Sequence, residues 1–139
     1  MSAAVHYSIT YMPQKTVLIV EDEQVLRNLI EKKLTKAGYI TLSTGDGDAG
    51  LKMALEKHPD LILLDIMMPH NGLEMLSELR KDMVYGNKAR VILLTNLSPD
   101  SENLISAIEQ HEPVFYLVKA NYTLEQVLDR VGEAMIKDL

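Results

Sequence analysis

Four apolar segments of the sequence each run directly into residues that could take part in phosphoryl chemistry. In a parallel sheet buried on both faces, strands are continuous apolar segments, and ligands collect beyond their carboxyl ends. We therefore expect the residues after these segments to converge on one pocket. In chain order they are Glu21 with Asp22, Asp65, Thr95 and Lys119, which follow segments 17–20, 61–64, 91–94 and 114–118.

The acids of this set predict a magnesium site. Two like charges about 4 Å apart repel by about 4 kcal/mol at an effective dielectric near ~20, so clustered carboxylates favour a cation. Mg²⁺ accepts a few carboxylates and shares its remaining positions with waters and phosphate oxygens. Zn²⁺ would prefer cysteine, which the chain lacks, or histidine, and the histidines show no ligand spacing. We expect Glu21, Asp22 and Asp65 to bind Mg²⁺, for which Mn²⁺ could substitute.

Asp65 is the candidate for a covalent phosphoacceptor, because it stands alone at the end of the third predicted strand. An aspartate carboxylate can attack phosphorus and form an acyl phosphate. Lys119 would neutralise charge on the transferred oxygens, and the Thr95 hydroxyl could donate a hydrogen bond to them. No general base is evident for activating water, so we expect slow hydrolysis and a regulatory role rather than an enzyme with turnover.

The composition is that of one globular domain. The chain has 139 residues, of which 47% are apolar and 24% charged, and it has no cysteine, which excludes disulfides and thiolate sites. A net charge of −6 argues against general nucleic-acid binding. No apolar run approaches the ~20 residues of a membrane-spanning helix, and no signal peptide is evident, so we expect a cytoplasmic protein.

The segments between the strands have helical periodicity, and residues 40–43 form a short polar strand expected near a sheet edge. Five strands alternating with five helices predict an α/β fold, a doubly wound parallel sheet with helices on both faces. The flavodoxin-like strand order 2-1-3-4-5 would place Asp22 beside Asp65. Predicted helix boundaries are Gly38 after the first helix, Asn71 before the third, Ser98 with Pro99 before the fourth, and Thr123 with Gln126 before the fifth.

These motifs together resemble the receiver domain of two-component response regulators. The resemblance is to a CheY-like, stand-alone receiver domain and covers residues 15–139. We expect residues 1–14 to form a flexible extension. The matching segments are Glu21-Asp22-Glu23 for the acidic pocket, Asp65-Ile66-Met67-Met68-Pro69 with Gly72-Leu73-Glu74 for the phosphorylation loop, Thr95 and Tyr116 for the switch residues, and Lys119 for the family's essential lysine. The resemblance implies that Asp65 accepts phosphate from a histidine kinase or a histidine phosphotransfer protein.

The resemblance also implies that Mg²⁺ is held by Asp22, Asp65 and the backbone carbonyl of Met67, with Glu21 acting through water or electrostatics. Thr95 would move toward the phosphoryl group and Tyr116 would turn inward. That change would remodel the surface of the fourth helix, fifth strand and fifth helix for a downstream protein target, without direct nucleic-acid binding or membrane insertion.

The sequence departs from the family pattern at two places. Ala120 follows Lys119 where the family usually has proline, so we expect a trans peptide there. The loop from Pro69 to Gly72 is one residue shorter than the common pattern, so we expect a tighter turn.

Three other interpretations remain open. One is a degenerate receiver that signals without phosphate. Another is a haloacid-dehalogenase-type phosphatase, although Met67 stands where that enzyme would place a second acid. The last is a flavodoxin-like binding module, although acids rather than glycines follow the first strand. Taken singly, Asp22 could be a helix cap, Thr95 a loop hydroxyl, Lys119 a solvated charge and Tyr116 a half-buried sheet residue.

Overall fold

A computed structural model describes residues 14–68, 72–98 and 100–137. The strands are Thr16–Val20 (β1), Ile40–Thr44 (β2), Leu61–Leu64 (β3), Val91–Thr95 (β4) and Phe115–Val118 (β5). The helices are Gln24–Lys36 (α1), Gly47–Lys57 (α2), Gly72–Lys81 (α3), Glu102–His111 (α4) and Leu124–Ile136 (α5). Short 3₁₀ turns occur at Gly86–Lys88 and Lys119–Asn121.

The five strands form one parallel sheet in the order β2-β1-β3-β4-β5. This confirms the predicted doubly wound, flavodoxin-like fold, including the edge position of β2. The inner strands are buried along almost their whole length, as continuous apolar segments require, whereas β2 and β5 are partly exposed. The carboxyl ends of β1 and β3 are neighbours, which is the placement that the candidate acids need.

Each face of the sheet is covered by its own set of helices. Successive side chains of a strand point to opposite faces, so Leu18 packs in one core cluster and Ile19 in the other. The first cluster takes residues from α2, α3 and α4, and the second takes residues from α1 and α5. Removal of this apolar surface from water, at roughly 25 cal/mol per Å², is what holds the sheet in place under the candidate site.

The helix boundaries largely follow the predicted signals. The Thr123 hydroxyl accepts a hydrogen bond from the Gln126 N–H at 3.1 Å, and the Gln126 side-chain oxygen accepts from the Thr123 N–H at 2.9 Å, so the capping box is confirmed. Gly38 follows α1 with a φ of 102°, a conformation that suits glycine.

The predicted start of α4 is wrong. Ser98 does not cap this helix, because its hydroxyl bonds to the Asp100 carboxylate and its carbonyl accepts from the Ser101 N–H. Ser101 is the residue that precedes the first helical residue, Glu102. The helix therefore begins at Glu102, three residues later than the sequence predicts. The predictions for residues 1–13, for Pro69 and Asn71 and for Pro99 lie outside the described residues.

Within the described ranges, no helix combines the length and the apolar character needed to cross a membrane.

Candidate functional site

Three carboxylates lie together where β1 and β3 end. One carboxylate oxygen from each of Glu21, Asp22 and Asp65 lies within 4.8 Å of the other two. Glu21 and Asp65 are buried, with exposed fractions of 2% and 4%, whereas Asp22 is exposed. Asp22 therefore lies at the solvent-facing side of the pocket, and the carboxylates of Glu21 and Asp65 lie at its base.

Lys119 joins this cluster from the end of β5. Its ammonium donates hydrogen bonds to Glu21 Oε1 at 2.7 Å and to Asp65 Oδ2 at 2.8 Å. Burial by itself lowers the pKa of Lys119, but its bonds to Asp65 and Glu21 outweigh burial and raise that pKa above its usual value. Lys119 is therefore a fixed cation at the base of the pocket.

Glu21 makes a direct ion pair that the family resemblance does not imply. Burial raises the pKa of Glu21, while its hydrogen bond to Lys119 acts in the opposite direction. The carboxylate also accepts from the Glu23 N–H at 3.3 Å. Glu21 thus neutralises part of the Lys119 charge, a role that is additional to any action through water.

The charge balance of the pocket suits a divalent cation. Glu21, Asp22 and Asp65 contribute −3 and Lys119 contributes +1, which leaves −2. At an effective dielectric of about 20, like charges ~4.8 Å apart repel by about 3.5 kcal/mol. Carboxylate oxygens are also the ligand type that Mg²⁺ prefers. The residues present therefore fit a bound Mg²⁺.

The Asp65 carboxylate is held on both of its oxygens. The Met67 N–H donates to Oδ1 at 2.8 Å, and Lys119 holds Oδ2. The backbone of the loop therefore fixes the direction of this side chain before any partner binds. The Met67 side chain itself is 57% exposed.

Thr95 lies at the same rim of the sheet but has no direct bond to the acids. It is the last residue of β4, and the pairing of Leu64 with Leu93 places it one residue beyond the level of Asp65. Its oxygen accepts from the Leu97 N–H at 3.3 Å. Within the described part of the chain its hydroxyl hydrogen has no acceptor, so the hydroxyl can still donate.

Tyr116 is not part of the acidic pocket. It lies on the edge strand β5 with an exposed fraction of 43%, between the partly buried Phe115 and the buried Leu117. This position agrees with the interpretation of Tyr116, taken singly, as a half-buried sheet residue.

The Lys119–Ala120 peptide is trans, as are all peptides of the described residues, which confirms the expectation for this departure from the family. Lys119 reaches both carboxylates despite the missing proline. The shortened loop between Pro69 and Gly72 lies outside the described residues.

Sequence reasoning missed two residues that shape the pocket. Arg27, on α1, donates from Nη1 to the backbone carbonyl of Glu21 at 2.8 Å and so fixes the end of β1. Gly72, the first residue of α3, packs against the backbone of Asp65. An arginine in an amphipathic helix gives no signal of such a contact, whereas Gly72 belongs to the matching motif but had no assigned role.

Adding a methyl group at Gly72 should disturb the Asp65 loop. A Cβ there would lie 2.5 Å from the Asp65 carbonyl oxygen and 2.9 Å from the Ile66 Cα, and neither backbone atom can move cheaply. We expect Gly72→Ala to lower the free energy of unfolding by about 1–3 kcal/mol, as overpacking does. Urea denaturation measures the change.

Gly132→Ala is the matched control, because Gly132 is also helical and its nearest such neighbour, the Tyr39 hydroxyl oxygen, is 4.0 Å away. It should raise the free energy of unfolding by about 0.5–1 kcal/mol. Equal effects of the two substitutions would contradict the close-approach argument.

The comparisons with known proteins agree with this geometry. Residues 17–131 match the family described as the response regulator receiver domain. The chain belongs to this family. As a receiver domain it also resembles the response regulator ArlR of Staphylococcus saprophyticus, with 34% identity over 122 residues that cover 87% of this chain and 52% of the relative.

Solved receiver structures are similar over most of the chain. The BeF3-activated receiver domain of Klebsiella pneumoniae RstA has 27% identity and a TM-score of 0.75, covering 88% of this chain and 100% of that one. The Thermotoga maritima response regulator TrrA, in complex with Mg(2+)-BeF, has 29% identity and a TM-score of 0.71, covering 87% of this receiver domain and 99% of TrrA.

The receiver domain matches only part of its curated relatives. The chain spans about half of ArlR and 38% of a probable transcriptional regulator ycf27 from Porphyridium aerugineum, which is 34% identical over 94 residues, or 67% of this chain. The likeness therefore concerns the receiver region of two-component response regulators.

Proposed function

We propose that Asp65 is the phosphoacceptor of this receiver domain and that the donor is a phosphohistidine of a histidine kinase or a histidine phosphotransfer protein. The observation that carries the proposal is the buried Asp65 carboxylate, which is held by Lys119 and has two further carboxylates within 4.8 Å. In the reaction, an Asp65 oxygen forms a bond to phosphorus while the bond from phosphorus to the donor nitrogen breaks. The electron pair of that bond leaves with the imidazole.

Lys119 and Thr95 would stabilise the charge that develops on the transferred oxygens. An ammonium has three N–H donors, and Lys119 uses two of them on Glu21 and Asp65, so one remains for a phosphoryl oxygen. The Thr95 hydroxyl also has a donor to offer. Lys119 is already in position and needs little reorganisation during the reaction, whereas the Thr95 hydroxyl would move toward the transferred oxygens.

Asp22, Asp65 and the backbone carbonyl of Met67 would hold Mg²⁺, with Glu21 supporting the site. The bound ion would supply a Lewis acid that neutralises phosphoryl oxygens. Two features support this assignment: the net charge of −2 in the pocket, and the similarity to TrrA, whose structure is a complex with Mg(2+)-BeF.

The proposed output is a conformational switch rather than turnover. Phosphorylation would draw the Thr95 hydroxyl toward the phosphoryl group and bring Tyr116 inward from its 43% exposed position. Thr95 lies on β4, which shares a core cluster with α4, and Tyr116 lies on β5, which shares a core cluster with α5. The α4-β5-α5 surface would therefore change for a downstream protein. We propose that the receiver domain covers residues 15–139 and that it works in the cytoplasm. We also propose that it makes no direct contact with nucleic acids.

Incubation with acetyl phosphate tests the proposal directly. We expect intact mass measurement to show one added phosphoryl group in the presence of Mg²⁺, and at least about tenfold slower uptake after the divalent cations are removed. Asp22→Asn should raise the Mg²⁺ concentration needed for half-maximal uptake. Asp129→Asn, which makes the same change at an exposed acid on α5, is the comparison variant and should leave that concentration unchanged.

An unchanged mass of the folded wild-type protein would refute phosphoacceptance and favour a receiver that signals without phosphate. Continuous release of phosphate from small phosphate esters would instead favour a phosphatase.

A further inference from the structure

An open cleft lies at the amino-terminal end of the sheet, opposite the acidic pocket. It has a volume of about 810 Å³, and its lining includes Arg80, Lys88, Arg90, His111 and Glu112. Arg90 directly precedes β4, whereas Asp65 follows β3, and five residues of strand span about 16 Å. The cleft is therefore separate from the proposed phosphorylation site.

Cations dominate the lining of this cleft. Arg80, Lys88 and Arg90 contribute +3 and Glu112 contributes −1, which gives +2 with His111 neutral. The whole chain has a net charge of −6, so this surface has the opposite sign to the protein as a whole. Local charge of this kind attracts anions at short range, because distant charges are screened beyond about 8–10 Å in physiological salt.

Arg80 is anchored by backbone carbonyls and still has free donors. Its Nε donates to the His111 carbonyl at 2.8 Å, and its Nη1 donates to the Gly86 and Ala89 carbonyls at 2.9 and 2.7 Å. Its Nη2 has no partner among the described residues, and no buried side-chain nitrogen or oxygen there lacks one, so Nη2 must reach solvent.

Arg90 and Lys88 add further unpaired donors. Arg90 Nη1 donates to the Ala134 carbonyl at 2.8 Å and to the Met135 carbonyl, which orients the guanidinium at the end of α5. Its Nε and Nη2, and the exposed Lys88 ammonium, have no partner in the described ranges. Two anchored guanidinium groups and a movable ammonium thus border one cleft.

We propose that this cleft binds an oligophosphate anion, with the diphosphate group as the smallest recognised unit. The free Nε and Nη2 of Arg90 form a fork that matches the geometry of phosphate oxygens, and the free Nη2 of Arg80 adds a further donor. Lys88 supplies a point charge that can adjust to the second phosphate. A volume near 810 Å³ lies within the usual range for small-molecule sites and leaves room for a group attached to the phosphates. The amide side chains of Asn87 and Gln110 supply neutral donors at the rim.

The probe for this site is inorganic pyrophosphate in buffer freed of divalent cations, so that the acidic pocket does not take up phosphate. Amide chemical shifts followed by NMR should change with saturation at residues 87–90 and 110–112. Lys88→Glu should weaken binding by roughly tenfold or more, because it reverses one of the three positive charges of the cleft. Lys32→Glu, which makes the same change on the exposed face of α1, should leave binding unchanged.

The affinities for other anions then determine the chemical class and the source of the ligand. Binding of ATP at least as tight as pyrophosphate would support a nucleoside phosphate, whereas tighter pyrophosphate binding would support a free oligophosphate. Equal affinity for citrate would overturn the assignment to phosphate. Equal affinities of the wild type and Lys88→Glu, or shifts confined to the carboxyl end of the sheet, would overturn the site itself.

Discussion

Asp65→Asn is expected to abolish phosphoryl uptake from acetyl phosphate, because an amide lacks the carboxylate oxygen that attacks phosphorus and forms the acyl phosphate. The variant should still fold. An amide oxygen can accept the Met67 N–H bond, and the loss of one charge also reduces repulsion in a pocket of net charge −2. Intact mass measurement after incubation with acetyl phosphate and Mg²⁺ gives the result.

Asp129→Asn is the control for this experiment, because Asp129 is an exposed acid on α5 without a partner in the described residues. It should take up one phosphoryl group like the wild type. Full uptake by Asp65→Asn would place the acceptor on another residue, and Asp22 would be the first to examine because it is the exposed acid of the pocket.

Lys119→Met should be the most destabilising change in the pocket when metal is absent. Glu21 and Asp65, which are 2% and 4% exposed, would lose the cation to which both are bonded. Removal of one partner from a buried ion pair costs about 3–5 kcal/mol, because the remaining charge stays buried without compensation. Urea denaturation at neutral pH should show a loss of this size, part of which added Mg²⁺ should restore.

Lys33→Met provides the comparison for Lys119→Met. Lys33 pairs with Glu125 at 2.5 Å, but the side chains are 45% and 66% exposed, so the loss should be small compared with that of Lys119→Met. Mg²⁺ should stabilise Lys119→Met more than it stabilises the wild type. Equal stabilisation of both proteins by the ion would contradict the argument that Lys119 compensates the buried carboxylates when metal is absent.

Much of the fold could be predicted because burial on both faces leaves a strong pattern. The inner strands β1, β3 and β4 are continuous apolar segments, and the capping box at Thr123 is a local signal that the structure retains. The start of α4 could not be predicted in the same way. Ser98 and Ser101 both suit a helix start, and the choice between them depends on the Ser98–Asp100 hydrogen bond.

The candidate site was predictable in its membership but not in its contacts. Parallel strands deliver their last residues to one rim, which brings the acids and Lys119 together. The bond between Glu21 and Lys119 joins residues 98 positions apart, and only the folded geometry determines it. The contact of Arg27 with the Glu21 carbonyl likewise depends on how α1 packs after β1.

Helix α3 joins the two ends of the molecule mechanically. Its first residue, Gly72, packs against the carbonyl of Asp65. Its ninth residue, Arg80, donates hydrogen bonds to three carbonyls at the border of the basic cleft. A ten-residue helix is a stiff rod about 15 Å long. A displacement of the Asp65 backbone that pushes on Gly72 would therefore be carried to the opposite rim of the protein without any loop having to relay it.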